Sequence, residues 1–177
     1  MQNVEDLKYP IGKIIFPNSI TKNHIADWTQ TLEDFPNQAE NEIQTLQKDE
    51  LTYTYRPSGW NIKQLVNHCV DSHINSVTRF KLALTEENPI IKPYEEANWA
   101  ELSDTIHYDI NESLVLLKSI HKRWVFLLKN MTNDDFKRTF IHPDGNETIT
   151  LEKNLCIYDW HCKHHLQHIV NAKKFKF

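Results

Sequence analysis

The chain has 177 residues, 40% of them hydrophobic and 25% charged, with a formal net charge of −4. That length suits one domain, residues 1–177, with its own core. The acidic balance argues against a nucleic-acid binder, which needs a basic face to neutralise phosphates. Three glycines against seven prolines disfavour a Gly-rich phosphate loop or a βαβ nucleotide fold, and suit long helices joined by proline-marked loops.

The opening "MQNVEDLKYPIGK" lacks a basic segment followed by an apolar run, so no signal peptide is expected. No apolar stretch approaches the roughly 20 residues that span a bilayer. The cysteines, Cys69, Cys156 and Cys162, are odd in number and have no CxxC spacing. Reduced thiols in the cytoplasm are the simplest expectation, with no membrane partner.

Taken in chain order, residues 1–18 read as an extended lead-in. A helical pattern starts after Ser19 or Thr21, either of which can cap it, and runs through Ile25, Trp28, Leu32, Phe35, Ala39, Ile43 and Leu46. Pro36 is expected to kink or divide this helix. Residues 51–60 form a loop. Asn61 and Gln64 fit a capping box at the head of a helix over about 62–85. A loop with a short helical turn near Trp99 follows. A third long helix covers about 110–130, with Ile110, Leu114, Leu117, Trp124, Leu128 and Met131 at three- and four-residue steps. "RTFIHPDGNETITLE" alternates about Asp144-Gly145-Asn146 and predicts a small β-hairpin. A fourth long helix is expected over 151–172. The sum is an all-α four-helix bundle with a β-hairpin before the last helix.

The fourth helix carries "WHCKHHLQHI", with histidines at 161, 164, 165 and 168. His161 and His165 are four apart, so their rings lie one above the other and can reach one ion. All four histidines share one side of the helix, and angular position does not choose among them. On the second long helix, His68, Asp71, Ser72, Asn75 and Arg79 form a polar stripe. Such a stripe on a mostly buried helix is costly unless its groups are paired or line a wet pocket. If it faces the fourth helix, His68 completes a three-histidine site. Three protein ligands leave a position open for water or substrate, the catalytic pattern. Three neutral ligands also leave the full +2 charge to acidify a bound water or thiol.

The pairing of "YRPSGWNIKQLVNHCVDSHINSVTRFKLALTEENP" with the late "YDWHCKHHLQHI" resembles the DinB-like superfamily, in its YfiT-like branch of metal-dependent hydrolases. The resemblance runs from "DLKYPIGK" to the last helix. It implies a four-helix bundle in which one histidine of the second helix and two of the fourth hold one divalent metal ion, zinc or nickel. By motif these fall on His68, His161 and His165. It further implies a small-molecule substrate, and homodimers. Related members transfer low-molecular-weight thiols such as bacillithiol onto electrophiles, so hydrolysis and thiol transfer both stand as expectations. No carboxylate repeats the HExxH arrangement, which weakens a peptidase reading.

Other residues have two readings each. His121 is a hydrogen-bonded core residue, or a pocket residue or acid–base group beside the ion. Asp71 holds a ligand's second ring nitrogen or makes an ion pair. His168 and His164 support the site or flank it. Arg79, about 16 Å along the helix from His68, binds an anionic substrate tail or makes an ion pair. Trp60, with Tyr55 and Arg56, rims the pocket or anchors a loop. His73 reads as structural or interfacial, and Cys69 and Cys162 as small hydrophobes. A non-catalytic metal-binding bundle is the competing function; it predicts a closed four-ligand site filled by His168 or Asp71.

Overall fold

A computed structural model describes residues 3–177. Its helices are α1 (Val4–Lys8), α2 (Lys22–Ile43), α3 (Ile62–Thr85), α4 (Glu96–Trp99), α5 (Ser103–Ile106), α6 (Ile110–Lys129), α7 (Asn133–Lys137) and α8 (Leu151–Phe175). Strands β1 (Thr139–His142) and β2 (Glu147–Thr150) form an antiparallel hairpin immediately before α8. The expected four-helix bundle with a hairpin is therefore present.

The long helices begin where their caps dictate. Thr21 accepts from His24 N, while the His24 ring accepts from Thr21 N. Asn61 and Gln64 make the reciprocal pair at the head of α3. Asp109 and Thr150 cap α6 and α8. Each cap satisfies donors that the first helical turn leaves without partners. The hairpin pairs Phe140 with Ile149 and His142 with Glu147, and Gly145 closes its turn at φ +76°, a conformation that favours glycine.

α2 and α3 each pack against both α6 and α8. Consecutive helices α2 and α3 thus occupy diagonal corners, and the long connections between the helices make that arrangement possible. Trp28, Leu32, Phe35, Cys69, Phe80, Leu117, Trp124, Leu155 and Cys162 belong to one apolar cluster. Ile43, Ile62, Leu65, Leu114 and Ile169 belong to a second. On α8 the histidines at 164, 165 and 168 fall between Cys162 of the first cluster and Ile169 of the second.

Two expectations are corrected. The lead-in is not wholly extended: Asn3 caps the short α1, and burial of Leu7 holds it down. Pro36 does not divide α2. The helix is continuous across it, because buried Leu32, Phe35, Pro36, Ala39 and Ile43 secure both sides of the one missing backbone bond. Helices α5 and α7 were not foreseen.

Candidate metal centre

The capping box at Asn61 sets the phase of α3, and two turns later it delivers His68 to the inside of the bundle, 6% exposed. On α8, His161 and His165 lie one above the other on one face, their rings edge to face with centroids 4.4 Å apart. The His68 ring lies 5.2 Å from that of His161 and 4.8 Å from that of His165. His68 Nε2 and His161 Nε2 are 3.1 Å apart. One ring nitrogen from each of the three histidines falls within 4.8 Å of the others. Burial disfavours the imidazolium form. It holds His68 down to about 4 and His161 and His165 well below the ordinary value, and the neighbouring imidazoles add to the effect. At neutral pH the three rings are neutral and offer lone pairs, the state a cation requires. Two nitrogens 3.1 Å apart are spaced as neighbouring vertices of a tetrahedron of about 2 Å bonds. The donor set fits a divalent ion.

The three histidines border a cavity of about 400 Å³, also lined by Trp60, Ser72, Arg79, Glu96, His142, Tyr158 and His164. Two helices, the hairpin and the α4 segment contribute to its wall. Tyr158 donates to the Ser72 carbonyl (3.0 Å), and its hydroxyl lies 3.1 Å from Ser72 Oγ. This fixes the ring beside His161, 5.4 Å between centroids. A larger groove of about 570 Å³, between the start of α2 and the ends of α6 and α7, contains no histidine or cysteine.

His168 stands apart from the first group. Its Nε2 lies 3.2 Å from the Lys8 carbonyl, and its ring stacks on Tyr55 at 3.8 Å. With His164 and His165 it forms a second buried group whose ring nitrogens lie within 4.8 Å of one another. That group draws on one helix only, and the carbonyl occupies one of its nitrogens.

The other expected residues divide. Trp60 reaches the site, its ring 4.7 Å from that of His68, and Arg79 lines the cavity with Glu96. The ion pair weighed for Arg79 is absent among the described residues. Asp71 makes no hydrogen bond to a histidine ring among the described residues. It is half-buried, and burial together with Asp104 raises its carboxyl to about 6. His73 occupies the role weighed for Asp71: its Nε2 lies 3.1 Å from His161 Nδ1. His73 is wholly buried rather than interfacial. Its Nδ1 lies 2.7 Å from His121 Nε2, and His121 Nδ1 lies 2.5 Å from the Leu32 carbonyl. His121 is thus a hydrogen-bonded core residue that touches the site only through His73. Cys69 is fully buried, and burial pushes its thiol up, as suits a small hydrophobe.

A family model for the DinB superfamily matches residues 31–169. The chain belongs to the DinB superfamily. This superfamily member is 47% identical over 171 residues to a candidate metal-dependent hydrolase of Bacillus cereus (strain AH820), covering 97% of this chain and 98% of the relative. A Bacillus anthracis relative of the same description matches at the same identity and coverage. Among solved structures, YfiT from Bacillus subtilis, described as a candidate metal-dependent hydrolase with an unusual four-helix bundle topology, superposes with a TM-score of 0.92 at 44% identity. That match covers 96% of this chain and 97% of YfiT. The mycothiol-dependent maleylpyruvate isomerase shares the fold, with a TM-score of 0.66 at 13% identity over 85% of this chain and 63% of the isomerase. No helix among the described residues is long and apolar enough to cross a membrane.

Proposed function

We propose that this chain is a metal-dependent hydrolase acting on a small molecule, with one divalent ion held by His68, His161 and His165. The observation that carries this reading is the convergence of three neutral imidazoles from two helices, those of His68 and His165 buried and that of His161 half-buried, on one edge of a cavity large enough for a small substrate. The similarity to YfiT and to the Bacillus relatives supports it. When bound, the ion supplies Lewis acidity and lowers the pKa of a water.

The chain's own residues divide the remaining work. Trp60 and Tyr158 wall the cavity and limit water around the histidines. Arg79 and Glu96, on the same wall, give it one cationic and one anionic side chain to orient a polar substrate. Neither His168 nor Asp71 joins the His68 group, so the reading keeps an open coordination position, unlike that of a structural site.

The test is metal content of untagged protein, for wild type and for His68→Ala, His161→Ala and His165→Ala, followed by an ester, amide and thiol-plus-electrophile screen. The expected result is one equivalent in wild type, loss in each variant, and ion-dependent hydrolysis of at least one ester or amide. Wild type that takes up neither zinc nor nickel overturns the ion site. Ion-dependent thiol transfer without hydrolysis overturns the reaction and leaves the site standing.

A further inference from the structure

His161, His73, His121 and the Leu32 carbonyl form an unbroken chain of hydrogen-bond contacts from α8 through α3 and α6 to α2, with steps of 3.1, 2.7 and 2.5 Å. The direction of every bond in it follows from its last member. A carbonyl only accepts, so His121 Nδ1 carries the proton. A neutral His121 then has a lone pair at Nε2, so His73 Nδ1 must donate to it. A neutral His73 accepts at Nε2, so His161 Nδ1 must donate in turn. A neutral His161 therefore has its lone pair at Nε2, the nitrogen that faces His68.

The carbonyl at the end of the chain is free for a reason written in the sequence. In a helix the carbonyl of residue 32 accepts from the N–H of residue 36, and residue 36 is proline, which has none. Leu32 lies within the continuous α2 and is fully buried. Its carbonyl would lack a partner there, at a cost comparable to a lost hydrogen bond, but for His121.

We infer that Pro36 and the Leu32 carbonyl, acting through His121 and His73, fix the tautomer of His161 and hold its Nε2 lone pair toward His68 and His165. His73, His121 and Pro36 are positioning residues in this scheme and touch no substrate. Burial supports it: His73 and His121 are fully buried and His161 is half-buried, and desolvation disfavours the charged form of all three. In the metal-free chain the 3.1 Å contact between His68 and His161 is then a bond donated by His68 Nε2. The consequence for ion binding rests on the proposed role of His161 as a ligand; the tautomer assignment does not.

The experiment is nitrogen NMR of histidine-labelled, metal-free protein at neutral pH. Wild type is expected to show His121, His73 and His161 each protonated at Nδ1 and bare at Nε2. His73→Phe keeps a ring of similar size and removes both links. It is expected to release His161 into a mixture of tautomers and to weaken zinc binding, read by chelator competition, about 10–100-fold. Pro36→Ala restores an N–H that competes for the Leu32 carbonyl and is expected to shift the His121 Nδ1 proton upfield. A wild-type His161 protonated at Nε2 overturns the inference. So does a folded His73→Phe with an unchanged His161 nitrogen pattern. If His73→Phe does not fold, the wild-type nitrogen shifts decide. Because these are read without metal, the relay is tested whether or not the ion site survives its own test.

Discussion

Acid should unfold the metal-free protein well above the pH at which ordinary carboxylates titrate. His68 and His121 are 6% and 1% exposed, and burial lowers each from the ordinary 6.5 to about 4. In the unfolded chain each binds a proton as pH falls through 6.5, whereas the folded chain resists until about 4. The unfolded state therefore binds more protons in this window, and stability rises with pH. The contribution is fully present above pH 6.5 and is lost as pH falls toward 4. At pH 5 each histidine costs about 2 kcal/mol, and near pH 5.5 the pair gives a slope of about 2 kcal/mol per pH unit. His73, His161 and His165 are lowered in the same direction and steepen the loss. Total stability for a domain is about 5–15 kcal/mol, so two of these groups alone remove a large part of it. Urea unfolding followed by circular dichroism, on chelator-treated protein from pH 7.5 to 5.0, measures the slope. A midpoint that stays flat over that range refutes the reasoning, because the rings would then be taking up protons inside the fold.

Zinc at 100 times its Kd should stabilise the wild type by about 2.7 kcal/mol, a Tm rise of about 5–11 °C for a domain of this size. The rise should vanish in His161→Ala. Trp124→Ala should cost about 3–5 kcal/mol, since Trp124 is fully buried between Phe80, Tyr158 and His73; a loss below 1 kcal/mol in urea titration would contradict that packing. Asn61→Ala removes one half of the capping box of α3 and should cost about 1 kcal/mol, with zinc stoichiometry unchanged by direct titration.

The similarity to YfiT and to the Bacillus relatives runs nearly the full length of the chain, and YfiT has the same bundle frame. Within that frame, local signals were legible in proportion to how local their cause is. The bounds of α3 follow from Asn61, Gln64 and the apolar period, all of which act within a few residues. The hairpin follows from alternation around one positive-φ glycine. The pairing of His68 with the α8 histidines was suggested by a polar stripe on a buried helix and by motif resemblance.

His73 and Asp71 show where sequence reading stopped. Both sit within five residues of His68, and the sequence offers Asp71, one turn beyond it, as the partner of a ligand ring or as half of an ion pair, and His73 as structural or interfacial. The structure brings His73 to that role because α8 and α6 close over its side, a relation set by packing between segments 48 and 88 residues apart. A histidine in the apolar stripe of α6 and a proline inside α2 were the available signals, and neither names the other. Sequence alone determined the four long helices, the capping box of α3 and the supply of imidazoles, since those depend on neighbours along the chain. Only the tertiary structure decided which imidazoles meet, which nitrogen each presents, and that Pro36 frees a carbonyl rather than breaking a helix. Those outcomes depend on the diagonal placement of α2 and α3, which no local pattern encodes.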